Sequence, residues 1–203
     1  MSVIRTSQNG ATLLVTLLLL IVVLLLGIAA AQIALQGEKS SRNDRDRQIA
    51  FQAAEAALLD AEMDIQHSPD VMRSRSHLFH AGGAIGFPGA GDPICSRGEQ
   101  NISLGLCRYE EGASAAWRQI DFLSAGTHTA NSVPYGKFTG QLFQSGSGLL
   151  PARLPRYVIE LMPHRKAGAS AEQTDYLYRI TAVGFGVRET TQIALQTFYR
   201  KAY

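Results

Sequence analysis

The sequence predicts an α+β protein in which one long N-terminal helix packs on a C-terminal antiparallel β-sheet. Three observations support this fold. An uncharged apolar run leads, without a proline, into an amphipathic helical pattern; three segments rich in β-branched and aromatic residues fill the last 50 positions; and Gly- and Pro-rich stretches separate the two parts. Without the apolar run, the 203 residues leave about 170, which is enough for one domain of ordinary size.

The apolar run covers residues 11–31 (ATLLVTLLLLIVVLLLGIAAA), and Thr12 and Thr16 are its only hydroxyl-bearing residues. About 20 apolar residues suffice to cross a bilayer. A secretory signal has a shorter core of about 7–15 residues, although Ala29–Ala31 offers small residues of the kind found at its cleavage site. With Arg5 ahead of the run, the positive-inside rule favours a retained span and an exported C-terminal part.

Helical spacing continues beyond this run, and together the two parts predict one helix from about residue 12 to residue 66, roughly 80 Å long. The apolar residues that recur at spacings of 3 and 4 are Phe51, Ala54, Leu58, Ala61 and Ile65. Such a stripe marks one face of an amphipathic helix. We therefore predict that this face packs against the sheet.

The predicted strands are residues 156–162, 176–183 and 190–199, which alternate in places between apolar and polar side chains. PHRKAGASAEQT and GFGVRE separate them and fit hairpin connections. Together they predict an antiparallel meander of three or more strands. Ahead of it, residues 81–93 and 124–151 are rich in glycine and proline and predict irregular loops, and residues 114–123 predict a short helix with Ser114 as its N-cap.

The beginning of the chain resembles a known family. Gly10 followed at once by the apolar helix is similar to a type IV prepilin leader. More closely, QNGATLLVTLLLLIVVLLLGIAA followed by RDRQIAFQAAEAALLDAE resembles the PilX-type minor pilins of type IV pilus assembly. The resemblance covers residues 8–62 and returns near the C-terminus in PRYVIE, YRITAVGFG and TQIALQTFYR.

This resemblance implies a pilin-like fold and a processing site. Prepilin peptidase would cleave after Gly10, and the new N-terminal residue, Ala11, would be N-methylated. The implied segments are a leader peptide (1–10), a transmembrane and filament-core half of the helix (11–35), an amphipathic half (36–66) and an exported pilin-like globular domain (67–203).

One residue departs from the pilin pattern. Pilins usually carry a glutamate at the fifth mature position, and this chain has Val15 there. A carboxylate in an apolar surrounding is costly unless it is paired, and in pilins its partner is the N-terminal ammonium group of a neighbouring subunit. A subunit at the filament tip has no subunit above it to neutralise, so Val15 fits a tip or initiating subunit. The rival interpretation is a simple membrane anchor that never polymerises.

The resemblance implies a minor pilin that primes pilus assembly in a tip or initiation complex and supports motility and adhesion. Its implied partners are other minor pilins, the major pilin, the inner-membrane assembly platform, prepilin peptidase and a tip adhesin. Its implied location is the inner membrane, with a periplasmic domain, and then the pilus. The alternatives are a tip pseudopilin of a type II secretion system and, from a different class, a membrane-tethered periplasmic binding module or enzyme.

Charges of alternating sign follow the apolar half at Asp44, Arg45, Asp46 and Arg47. They have two interpretations. The simpler is a solvated helix face with weak ion pairs, each contributing less than about 1 kcal/mol. The functional one is a pattern of charges that selects neighbouring subunits in a helical bundle.

Cys95 and Cys107 are the only cysteines. In an exported domain, an isolated even pair predicts a disulfide, and two reduced thiols are the alternative. A loop of this size would contribute roughly 3 kcal/mol in the chain-entropy model.

The sequence gives no catalytic, cofactor-binding or metal-binding motif. His77 and His80 have a spacing that could bring two imidazoles together, but no completing ligand pattern is near, so we expect a solvated pair. With a formal net charge of +2, we expect no nucleic-acid partner. The sequence therefore predicts a protein that is not an enzyme and needs no cofactor.

Overall fold

The computed structural model describes residues 11–80, 85–164 and 175–202. The chain divides into two compact units, one ending at Arg45 and the other running from Asp46 to Tyr203. The expected leader peptide with Gly10 lies outside the described residues, as does most of the PHRKAGASAEQT connection.

Helix α1 spans Ala11–Gln66, which confirms the predicted long helix. Its residues are mostly good helix formers, and only two glycines interrupt them. The helix ends where Pro69 restricts the preceding residue to an extended backbone. At this end the backbone N–H of His67 donates to the carbonyl oxygen of Met63 at 3.0 Å, which completes the last turn.

In the part of the chain that the structure describes, five strands form one sheet in the order β1-β3-β4-β5, with β2 paired to β3. Their bounds are Leu106–Arg108 (β1), Val133–Pro134 (β2), Arg156–His164 (β3), Asp175–Phe185 (β4) and Gln192–Tyr199 (β5). Strands β3, β4 and β5 pair antiparallel in sequence order, which confirms the predicted meander.

Strand β1 was not predicted, and it makes the sheet mixed. It pairs parallel to β3, with Leu106 opposite Ile159. A parallel pair needs a long connection, and residues 109–155 supply it. This connection includes the 124–151 stretch expected to be an irregular loop.

The helix predicted at residues 114–123 is wrong in extent and capping. The structure has a 3₁₀ helix at Ala116–Gln119 whose N-cap residue is Ala115, while Ser114 only accepts hydrogen bonds from the Gln119 side chain. Ala116 and Phe122 are both buried. Residues six apart do not share a face of a helix, so the chain leaves the helical conformation to bury both.

Two apolar clusters cover the two faces of the sheet. The larger one joins α1 to the sheet and includes Ala57, Ile65, Tyr157, Ile159 and Tyr178. The smaller one includes Phe122, Val158, Val183 and Phe185 together with both cysteines. The helix from Asp46 onward therefore forms one layer of an ordinary two-layer core.

Candidate functional site: the exposed helix half and the seat of α1 on the sheet

The first part of α1 is exposed along its whole length. Every residue from 11 to 45 is exposed in the structure, including Leu13, Val15 and the leucines and valines that follow. This helix is long and apolar enough to cross a membrane. An apolar surface of this size is not stable in water, so lipid or other protein must cover it.

The second part of α1 lies unusually close to strand β4. A Cβ atom added at Gly184 would lie 2.0 Å from the carbonyl oxygen of Ala50 and 2.4 Å from the backbone nitrogen of Ala54. The helix backbone therefore rests directly on this strand, which requires small side chains on both sides. The residues of α1 that face the sheet with no or almost no exposure are Ala50, Ala53, Ala54, Ala57, Ala61 and Ile65.

The predicted helix face needs one correction. Ala54, Ala61 and Ile65 are buried and Leu58 is half-buried, but Phe51 is 40% exposed. The close approach at Gly184 leaves no room for an aromatic ring. The packed face is therefore centred on Ala50 and Ala57, one residue before the positions that the apolar spacing predicted.

Three carboxylates of α1 hold the helix against the sheet and its loops through hydrogen bonds, and the first is that of Asp46. Its carboxylate accepts hydrogen bonds from the Thr191 hydroxyl at 2.6 Å, the Arg188 side chain at 3.0 Å and the Val187 backbone at 2.5 Å. Burial alone would raise the pKa of Asp46, but these hydrogen bonds outweigh it and lower the pKa. Asp46 thereby ties the helix to the β4–β5 turn.

Asp60 fastens the loop after β2. It accepts a hydrogen bond from the backbone N–H of Gly136 at 2.8 Å and another from the Thr139 hydroxyl. Gly136 has φ +76°, and a Cβ there would lie 2.0 Å from the carbonyl oxygen of Gln141, so only glycine fits this turn. Burial raises the pKa of Asp60 despite both hydrogen bonds.

Asp64 and Arg75 form an ion pair with no exposed side-chain surface. Nε and Nη2 of the guanidinium group donate to the two carboxylate oxygens at 2.7–3.1 Å, and Nη1 donates to the carbonyl oxygens of Ile102 and Leu104. The Tyr157 hydroxyl also donates to Asp64, at 2.9 Å. Burial, with the Asp64 charge, raises the pKa of Tyr157 well above its usual value.

The solvated-face interpretation of the alternating charges is therefore wrong for Asp46, and the burial of Asp60 and Asp64 was not predicted. A usable signal was present, because these aspartates and the buried alanines recur at spacings of 3 and 4 along one face of the helix. The spacing of the apolar residues alone predicted a neighbouring face of α1. Arg75, in a segment without apolar periodicity, gave no signal in the sequence.

The remaining candidate residues take ordinary positions. Cys95 and Cys107 form the predicted disulfide, which joins the loop before β1 to β1 itself. His77 and His80 are exposed. Within the described residues, no group of three metal-ligating side chains lies close enough to hold a metal ion.

An open groove lies on the face of the sheet that carries the smaller cluster. Its polar lining consists of Arg118, Asp121 and Gln192, and Trp117 forms part of its wall. The rest of its lining is apolar and includes Ile120, Phe122 and Val183.

A helix that is apolar and exposed in one half and packed on a mostly antiparallel sheet in the other is typical of a pilin-like subunit. Comparison with protein families agrees. Residues 95–201 match the family model for the C-terminal part of the type IV pilus assembly protein PilX, and residues 9–59 match the PilX N-terminal model. The chain belongs to the PilX family of type IV pilus assembly proteins. No curated protein and no solved structure matches it.

The family assignment makes this chain a minor pilin of type IV pilus assembly. It points to a structural subunit that interacts with other pilus components. Its one long apolar helix fits the single-pass membrane anchor of a pilin.

Proposed function

We propose that this chain primes type IV pilus assembly as part of a complex at the pilus tip. The observation that carries the proposal is the exposed apolar start of α1, whose first turn contains no acidic residue and has Val15 at the fifth position. A subunit within the filament needs a carboxylate there to pair with the next N-terminus. A subunit at the tip has no next N-terminus, and an apolar residue avoids the cost of an unpaired buried charge.

The proposal gives each segment of the chain a role in assembly. Prepilin peptidase removes residues 1–10, and the helix then begins at Ala11. Residues 11–35 lie in the inner membrane before assembly and in the filament core afterwards, while residues 36–66 and 67–203 face the periplasm. Extraction exchanges lipid contacts for contacts with the helices of other minor pilins and the major pilin, so assembly leaves the apolar surface covered throughout.

The assembly partners are the other minor pilins, the inner-membrane platform and a tip adhesin, and the resulting pili support motility and adhesion. Nucleic acid is not among the proposed partners, because the formal net charge is only +2. The mechanism is physical: the folded unit covers the end of the growing fibre, and the chain acts without catalysis.

A deletion strain complemented with single variants tests this proposal. Deletion should abolish surface pili while the major pilin is still made, and Val15→Leu should restore them because it keeps the apolar surface. Val15→Glu should lower the number of pili and move the chain from the tip into the shaft, since it supplies the carboxylate of a repeating subunit. Electron microscopy with an antibody to the chain measures both quantities.

Two results would contradict the proposal. Normal piliation in the deletion strain would remove the priming role, and an unchanged pilus number and tip location in Val15→Glu would remove the argument from Val15. Mass spectrometry of the mature chain checks the processing separately, because N-methylated Ala11 is expected and a retained Met1 would contradict it.

A further inference from the structure

The sheet ends in a strand that is paired on one side only. Among the described residues, β5 pairs with β4 and has no neighbouring strand on its other side. We call that other side of β5 the open edge. In an edge strand, the backbone N–H and C=O groups of every second residue point away from the sheet. At about 3.4 Å per residue, the eight residues Gln192–Tyr199 give an open edge roughly 27 Å long.

Strand β5 lacks the features that usually protect an edge strand. Lysine, proline or a β-bulge commonly prevents such a strand from pairing with another chain. The sequence of β5, QIALQTFY, contains no charged residue and no proline. Its register with β4 is one residue to one residue from Gln192 to Tyr199, so the strand has no bulge. An unprotected edge of this length is a template for a strand from another chain.

The opposite end of the sheet is closed. The backbone N–H of Ser96 donates to the carbonyl oxygen of Leu106 at 2.9 Å, and the N–H of Arg108 donates to the carbonyl oxygen of Ile94 at 3.0 Å. The Cys95–Cys107 disulfide fixes this segment to β1. We call this side of β1 the closed edge. The two edges of the sheet are therefore unlike, and only β5 offers a full length of backbone for pairing.

The groove described above lies beside the open edge. Gln192 and Ala194 of β5 form part of its lining, and Trp117 forms part of its wall. A strand that pairs with β5 directs every second side chain to this face of the sheet, where the groove can accept an apolar side chain. In strand addition, backbone hydrogen bonds provide affinity and pockets for alternate side chains provide sequence preference. The open edge and the groove together suit an extended polypeptide strand.

The direction of β5 limits which partner can reach the open edge. Just before β5 begins, the Thr191 hydroxyl donates to Asp46, and at its end the Tyr199 hydroxyl donates to Gln66 at 2.9 Å. Strand β5 therefore runs in the same direction as the packed part of α1, and the open edge faces sideways. A subunit whose α1 lies alongside this one can reach that edge, whereas a protein beyond the end of α1 cannot cover its length.

A second copy of this chain does not fit the open edge. Two identical edges pair around a twofold axis. Antiparallel pairing would point the two α1 helices in opposite directions, and parallel pairing would place them on opposite faces of the shared sheet. Neither arrangement lets the exposed apolar parts of both helices pack together in one membrane. The closed edge, which Ile94 and Ser96 already occupy, offers a second copy no alternative.

We propose that β5 pairs with the edge strand of one minor pilin of different sequence, so that the two subunits share a continuous sheet. The partner strand is uncharged, and one of its apolar side chains enters the groove beside Trp117. The inference rests on the proposed function, because it takes the neighbour to be another minor pilin of the initiation complex, with its helix parallel to α1. The closed edge accepts no strand, so the shared sheet ends at this subunit on that side.

Site-specific photo-crosslinking of the full chain in piliated cells tests the inference. A photoreactive phenylalanine derivative replaces Phe198, which is 58% exposed on β5, and a control chain carries it at Leu142, which is 95% exposed and outside β5. We expect Phe198 to crosslink to one minor pilin, within an uncharged strand-forming peptide that mass spectrometry identifies.

Substitutions at Ala194, an exposed residue of β5, test whether strand pairing produces this crosslink. Ala194→Lys should lower the yield roughly tenfold, because a lysine on an edge strand opposes pairing. Ala194→Thr keeps an uncharged strand former and should retain the crosslink. Ala90→Lys, which places the same charge at an exposed loop residue, is the matched control and should leave the yield unchanged.

Several results would overturn the inference: a crosslink to a second copy, to lipid or to a protein that is not a minor pilin, an equal yield from Leu142, or a yield insensitive to Ala194→Lys. The partner is identified in a chain with Phe198 alone replaced, so this result decides the inference even if Ala194→Lys lowers stability. Normal piliation after gene deletion overturns the proposed function instead, and a crosslink to a minor pilin would then still stand.

Discussion

The two parts of α1 use the same secondary structure for opposite purposes. From Ala11 to Arg45 all residues are exposed, including the large apolar side chains. From Asp46 to Gln66 one face is buried against the sheet, and it carries three aspartates among alanines. The apolar part is thus left for lipid or other subunits, while the more polar part is fixed inside the fold.

This contrast teaches that polarity in the sequence does not decide which part of a helix is buried. A carboxylate is tolerated in the interior when its hydrogen bonds are satisfied. A leucine remains exposed when the chain offers nothing to cover it. Substitutions in the two parts should consequently act on different properties, namely membrane insertion and assembly in the first part and folding stability in the second.

The largest expected effect on folding comes from Arg75→Met. It leaves Asp64 buried without its cation and removes the donors to Ile102 and Leu104. Breaking one partner of a buried ion pair costs about 3–5 kcal/mol of unfolding free energy. Urea unfolding of the full-length chain in detergent, followed by the fluorescence of Trp117, measures this loss.

Arg73→Met is the matched control, because the Arg73–Asp70 pair is exposed at the arginine and should contribute less than about 1 kcal/mol. Equal losses for the two variants would contradict the role given to the buried pair. Arg75→Met combined with Asp64→Leu should recover part of the loss, since no uncompensated charge then remains.

The second-largest expected effect on folding stability comes from a comparison of two glycines. Gly184 packs against the buried part of α1, and Gly37 lies in its exposed part. Gly184→Ala places a Cβ against the backbone of Ala50 and Ala54, neither of which can rotate away, so α1 must shift from the sheet. Overpacking of this kind costs roughly 1–3 kcal/mol. Gly37→Ala, in the exposed part of α1, meets nothing within 4 Å and should be neutral or stabilise the helix by up to about 1 kcal/mol.

Urea midpoints of both glycine variants, again in the full-length chain, provide the measurement. A stable Gly184→Ala variant would show that the helix does not rest on the strand as closely as described. A destabilised Gly37→Ala variant would show that the exposed part of α1 contributes to the folded unit.

The smallest effects are pH-dependent and have opposite signs at two aspartates of the same helix. Because the folded pKa of Asp46 lies below its ordinary value of 3.8, its carboxylate adds stability above that value and loses it as the pH falls through the folded pKa. Asp46→Asn keeps one acceptor oxygen and should cost about 1 kcal/mol at neutral pH. The difference from wild type should shrink in acid.

Asp60 should behave in the reverse way. Its folded pKa is raised, so the folded state binds the proton more tightly, and wild type gains stability relative to Asp60→Asn as the pH falls through that pKa. Unfolding free energies of wild type and both variants between neutral pH and about pH 2 test the two signs. Parallel curves for the two variants would contradict the different environments, and Asp44→Asn, at an exposed site, serves as the control.

Much of this architecture could be predicted from the sequence, because it depends on local patterns. The length of α1 follows from good helix formers ahead of Pro69, and strands β3, β4 and β5 follow from β-branched and aromatic segments. The disulfide follows from two cysteines in a domain expected to be exported.

Other features depend on contacts between distant segments, which no local pattern records. Strand β1 is only three residues long and exists because β3 offers it a pairing edge. Phe51 was expected to pack because apolar spacing was the available signal, and the contact at Gly184 shifted the packed face to its alanine neighbours.

The sequence by itself determined that the chain has a membrane-length apolar helix, a C-terminal sheet and the PilX family pattern. Each of these features depends on the local pattern of neighbouring residues. Only the tertiary structure decided that Asp46, Asp60 and Asp64 are buried and that Val71, Met72 and Leu142 are not. The physical reason is that burial depends on which groups meet across the fold. Side-chain and backbone groups between residues 75 and 191 donate hydrogen bonds to these aspartates, and nothing in the described chain covers the three apolar side chains.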